Sequence, residues 1–190
     1  MTSVGTVGGD ERIRLFLALE VPDEVAAELA RWGAAELRGG RVLESFHITL
    51  AFLGGRQRSA LEPILGVLRR EAAAGEPFVL EPARYRETRS VAMLVLADPS
   101  GRATSLAERI HEGLEALGLY EREPRPWLPH VTVLRFRERP RLAPPLPEIG
   151  AFAPSGAAAF LSRLQPSGAI YEVLESCSLG GTERGLRQGG

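Results

Sequence analysis

The chain runs through one local plan twice, and this repetition constrains its fold more than any other feature. Arg12–Glu20 is a β-prone run that Val21-Pro22-Asp23 stops. With Asp23 as N-cap, Val25, Leu29 and Trp32 recur at helical spacing toward Leu37, and Gly39-Gly40 ends the helix. A strand over Ser45–Leu53 follows and closes at Gly54-Gly55. The second half repeats the order. Val91–Ala97 is an apolar strand, Asp98-Pro99-Ser100 breaks it, and a helix from about Arg102 to Leu117 carries Leu106, Ile110, Leu114 and Leu117 on one stripe. Gly118 ends that helix, and Pro129–Phe136 forms the closing strand. The expectation is a single domain over residues 1–190, built from duplicated units at about 12–55 and 91–137 and related by approximate two-fold symmetry. A helix at about Ser59–Ala74 and strands at Phe78–Arg84, Ala157–Ser162 and Ile170–Leu179 complete the lobes. Pro140–Pro147 reads as an irregular connector, and residues 1–10 and 182–190 as frayed tails.

Each unit ends in the same short sentence. One reads Phe46-His47-Ile48-Thr49-Leu50, the other Pro129-His130-Val131-Thr132-Val133. The chain holds three His and seven Thr, so two His-x-Thr motifs arise by chance with an expectation of about 0.005. Alternate residues of a strand point the same way. His47 and Thr49 therefore share one face over Ile48 and Leu50, and His130 and Thr132 share one face over Val131 and Val133. If the two lobes face each other, two imidazoles and two hydroxyls line one small space.

That set of groups suits a phosphodiester. Imidazole has an ordinary pKa of about 6.5, so near neutrality one ring can be neutral and its partner protonated. The neutral ring deprotonates a nucleophile and the charged ring protonates the leaving oxygen. Thr hydroxyls donate to the non-bridging oxygens, and Arg135, five residues after His130, is placed to add a bidentate phosphate contact. No metal is called for. There is no CxxC or HExxH, and no acidic residue adjoins either motif.

Composition narrows the alternatives. The formal charge is −1, so any nucleic-acid contact has to be local. All 23 basic residues are Arg, which removes Schiff-base, Walker-type and nucleotidyl-lysine chemistry. Cys177 stands alone and makes no internal disulfide, which fits a reducing cytosol. The first residues carry neither the basic nor the apolar region of a signal peptide, and no apolar run is long enough to span a bilayer, so a cytoplasmic location is expected; a monomer is expected as well. Arg122, Arg125, Arg135, Arg137, Arg139 and Arg141 cluster around the second motif as a phosphate-binding rim or a solvated surface. Trp127 is a candidate for base stacking, with core packing the weightier reading. His111 falls on a charged helix segment, a solvated face with no role.

With both motifs in view, the chain resembles the 2H phosphoesterase superfamily, and within it the RNA 2′,3′-cyclic phosphodiesterases (2′-5′ RNA ligase-like proteins). The resemblance is carried by Arg14-Leu15-Phe16-Leu17-Ala18-Leu19 with Pro22, by His47 to Gly54, by Pro129 to Arg135, and by Phe160-Leu161-Ser162-Arg163-Leu164 with Gly168-Ala169-Ile170-Tyr171. One departure is Trp127-Leu128 before Pro129, where relatives often carry Phe. The resemblance implies a bilobal α+β fold, with two lobes of antiparallel sheet and outer helices around a central groove. It implies metal-independent, cofactor-free opening of an RNA terminal 2′,3′-cyclic phosphate to a 2′-phosphate. His47 would be the proton donor, His130 the acceptor, and Thr49, Thr132 and Arg135 the phosphate-binding groups; the pseudo-symmetric sequence leaves the two histidine labels interchangeable. Other readings stay open: 2′-5′ RNA ligation, hydrolysis of a small cyclic nucleotide or ADP-ribose cyclic phosphate, and an RNA-end binding module without turnover.

Overall fold

The computed structural model describes residues 11–165 and 168–180; the expected tails at 1–10 and 182–190 lie outside the described residues. In chain order the elements are β1 (Arg12–Glu20), α1 (Asp23–Glu36), β2 (Arg41–Val42), β3 (His47–Gln57), α2 (Leu61–Ala73), β4 (Glu81–Glu87), β5 (Val91–Ala97), α3 (Arg102–Ala116), β6 (His130–Arg135), β7 (Gly156–Gln165) and β8 (Gly168–Cys177). The strands form one antiparallel sheet in the order β4-β5-β6-β3-β1-β7-β8, with β2 pairing the end of β6.

β1-α1-β3 and β5-α3-β6 run in the same strand–helix–strand order. Both belong to one sheet, in which β3 and β6 are neighbours. Those strands meet at a single register pair among the described residues, Ile48 opposite Val131. Both are the middle residue of His-x-Thr, and both are fully buried. The helices cross over: α1 packs against β6 of the second unit, and α3 against β3 of the first. Each helix thus backs the other unit's histidine strand, which welds the halves into one core of Leu17, Leu29, Ile48, Leu68, Leu94, Ile110 and their neighbours. The opposite face of the sheet carries a small separate cluster, Phe16, Ala18, Ala158 and Phe160, with Tyr171 packed on it.

Local chemistry explains most element ends. Asp23 is the first helical residue rather than the N-cap. Pro22 holds the cap position at φ −56° and ψ 146° and no side chain caps the helix, so Asp23 and Glu24 act on the helix dipole instead. Gly101 holds the N-cap of α3 at φ 69°, and Asp98, three residues earlier, accepts from the Thr104 N–H of the first turn at 2.8 Å. The strand expected at Phe78–Arg84 forms three residues later, at Glu81–Glu87. The residue before it, Leu80, pairs with Phe152 instead, through an isolated bridge. No helix among the described residues is long and apolar enough to cross a membrane.

Candidate active site

His47 and His130 are the first residues of β3 and β6. Because these strands are antiparallel about Ile48 and Val131, His47 lies on the Thr132 side of the pair and His130 on the Thr49 side. The four expected residues therefore share one small area of the sheet face away from the helices. All four side chains are half-buried. The hydroxyls of Thr49 and Thr132 make no hydrogen bond among the described residues, which leaves them free to donate to a ligand.

The two imidazoles sit in different surroundings. His130 Nδ1 lies 2.8 Å from the Leu128 carbonyl. A carbonyl only accepts, so Nδ1 carries the proton and Nε2 keeps the lone pair in the neutral ring. His47 is enclosed by aromatic rings, with Phe16 at 4.8 Å, Tyr171 edge-on at 5.1 Å and Phe160 at 5.9 Å between centroids. Its Nδ1 is buried without a hydrogen-bond partner. Burial first, and then the charges of His130 and Arg135, push the His47 imidazole down to about 4.

A pair of β-bulges completes the site. On β3 the register passes from Ala18↔Thr49 to Leu17↔Ala51, leaving Leu50 as the extra residue. On β6 it passes from Met93↔Thr132 to Ala92↔Leu134, leaving Val133 extra. Each bulge falls three residues after its histidine. It sends two successive residues into the core, Leu50-Ala51 and Val133-Leu134, and returns the next one to the site face. Strict alternation would have turned Arg135 away from His130; the bulge turns it back. At the matching position of the first unit stands Phe52, half exposed, with the Arg14 guanidinium 5.0 Å from its ring centre. Arg135 and Tyr171 also line a cavity of about 330 Å³ beside the histidines, together with Ser45 and Glu44.

The bulges leave backbone carbonyls out of the ladder, and distant groups satisfy them. His111 Nε2 donates to the Leu50 carbonyl at 2.7 Å, and the Leu43 N–H donates to the Val133 carbonyl at 3.0 Å. His111 is therefore buried against Tyr120, not on a solvated face. Its charged neighbours Glu108 and Glu112 suggest solvent, whereas its spacing to Leu114 and Ala107 puts it on the inner stripe. Trp127 packs against the core and donates from Nε1 to the Thr49 carbonyl at 2.9 Å. Trp127→Phe keeps an aromatic ring but leaves that carbonyl unpaired. A loss of about 1–3 kcal/mol in a urea unfolding experiment is expected.

The arginine rim divides. Arg122 is paired with Glu115, Arg125 with Glu123 and Arg139 with Glu87. Arg141 adopts a positive φ of 57° and gives its N–H to Glu87. Those contacts consolidate loops. Arg135 and Arg137 line a second cavity, together with Gly39, Gly40 and Phe136.

The known proteins similar to this chain agree with one another. The pattern of the 2′-5′ RNA ligase superfamily matches residues 21–170. The RNA 2′,3′-cyclic phosphodiesterase of Thermus thermophilus is 32% identical over 189 residues, covering 93% of this chain and 94% of its own length. The Escherichia coli RNA 2′,3′-cyclic phosphodiesterase is 28% identical over 139 residues, covering 70% and 77%. The crystal structure of the Thermus thermophilus protein TT0787 superposes with a TM-score of 0.76 at 31% identity, over 89% of this chain and 99% of that one. Both histidine strands and both bulges fall inside the matched segment, and the chain belongs to the 2′-5′ RNA ligase superfamily.

Proposed function

We propose that the protein opens the terminal 2′,3′-cyclic phosphate of RNA to a 2′-phosphate. The observation that carries this reading is the antiparallel meeting of the two motifs at Ile48 and Val131, which gathers two imidazoles and two unpartnered hydroxyls in one place. The names of its relatives favour the same reaction.

In the proposed step His130 Nε2 takes a proton from water, whose oxygen attacks phosphorus. The bond from phosphorus to the 3′ oxygen breaks, and His47 gives that oxygen its proton. Thr49, Thr132 and Arg135 hold the non-bridging oxygens as charge builds on them. The tautomer fixed by the Leu128 carbonyl suits His130 to the base role. The acid role of His47 depends on the substrate. In the free protein its ring is neutral down to about pH 4, and an anionic phosphate beside it supplies the counter-charge that restores the proton.

The test is a short RNA ending in 2′,3′-cyclic phosphate, incubated with EDTA-treated protein. A 2′-phosphate product with a bell-shaped pH dependence is expected. A 3′-phosphate product, or activity that EDTA abolishes, would overturn the mechanism.

A further inference from the structure

The site face does not end at the histidines. Two rows of register-paired residues cross β6, β5 and β4. One runs His130, Val95, Arg84; the other runs Thr132, Met93, Arg86. Directly paired residues point to the same face, so Arg84 and Arg86 stand on the face that carries the reacting groups. They are two strands from β6, a distance of about 10 Å. Both are exposed, and neither has an ion pair or side-chain hydrogen bond among the described residues. What lies between them and the histidines is apolar and uncharged, Val95 and Met93.

The carboxylates near these arginines are turned elsewhere or stand apart. Glu87 points to the other face, where its side chain is only 2% exposed and is held by Arg139, Tyr85 and the Leu142 N–H. Glu81 lies at the far end of β4, opposite Ala97. In a chain of net charge −1, two unneutralised guanidinium groups aligned with the reaction centre are a local feature.

We propose that Arg84 and Arg86 bind the phosphates of the RNA chain upstream of the reacting terminal nucleotide, so that an oligonucleotide is the favoured substrate over a cyclic mononucleotide. This rests on the phosphodiesterase reading, and it adds the substrate's length and path. The RNA leaves the centre across β5 and meets the guanidinium pair on β4, with charge complementarity supplying the attraction. The same arginines sit on an edge strand, where charge alone discourages strand pairing, so the experiment must separate the two uses.

The direct test is a binding titration that needs no turnover. The probes are a fluorescein-labelled five-nucleotide RNA ending in 2′-phosphate and, separately, 2′-AMP. Relative to wild type, Arg84→Gln/Arg86→Gln is expected to weaken RNA binding on the order of 10-fold. It should also flatten the plot of log K against log salt by about 1.4, the loss of two single-strand phosphate contacts. Binding of 2′-AMP should stay unchanged. Equal effects on both probes, unchanged RNA affinity in the double variant, or no RNA binding by the wild type would overturn the proposal. RNA binding that depends on these arginines, without opening of the cyclic phosphate, would sink the phosphodiesterase reading and leave this path standing.

Discussion

His47→Ala and His130→Ala are each expected to lower kcat/KM on an RNA cyclic-phosphate end by about 10²–10⁴-fold, the usual worth of one positioned proton transfer. The two losses should not multiply. A base without an acid, or an acid without a base, leaves the same unassisted step, so the double variant should resemble the worse single one. The variants should differ in folding. Among the described residues the one side-chain hydrogen bond of His130 is to the Leu128 carbonyl, and removing the ring vacates a half-exposed position. His47 fills an aromatic pocket of Phe16, Tyr171 and Phe160, so its removal leaves a hole that its neighbours must close. Unfolding measurements beside the kinetics separate the two effects. Either single variant keeping wild-type kcat/KM would remove that histidine from the mechanism.

The buried state of His47 also predicts how stability depends on pH. Its folded-state pKa is about 4 against an ordinary 6.5. Between those values the unfolded chain binds a proton that the folded protein refuses, so stability falls as pH drops through this window and levels off below it. The shift corresponds to about 3 kcal/mol at most. Urea unfolding of wild type and His47→Gln at pH 7 and pH 4 isolates the contribution. Carboxylates held low in the folded state, such as Glu175 beside Arg69, lose stability with acid in both proteins and cancel. Wild type should lose more than the variant over this range; equal losses would mean that His47 is protonated as readily as a free imidazole. A bound 2′-phosphate should reverse the sign. It should draw a proton onto His47, measurable at neutral pH as proton uptake on binding.

Parts of this site are legible in the amino-acid order. The His-x-Thr spacing places imidazole and hydroxyl on one face of a strand wherever that strand lies. The breaks at Pro22 and Gly118 and the apolar stripe of α3 likewise depend on neighbours within a few residues. What misled was also local. Glu108, Arg109 and Glu112 around His111 suggested solvent, and six arginines near the second motif suggested a rim. Yet Arg139 finds Glu87 52 positions away, and His111 finds Leu50 61 positions away. Arg84 and Arg86 carry no local signal, because nothing near them in sequence is chemically related to His130.

Backbone periodicity and turn chemistry act over a few residues. They suffice for the two units, for their strand and helix order, and for the residue types available for acid–base work. Only the folded chain makes β3 and β6 neighbours joined at Ile48 and Val131. It also places the bulges that turn Arg135 and Phe52 to the site face, and it encloses His47 in rings from β1, β7 and β8. Register, burial and charge pairing are properties of segments brought together from far apart in the chain. They make a neutral imidazole of one histidine and fix the tautomer of the other, although both stand in the same four-residue sentence.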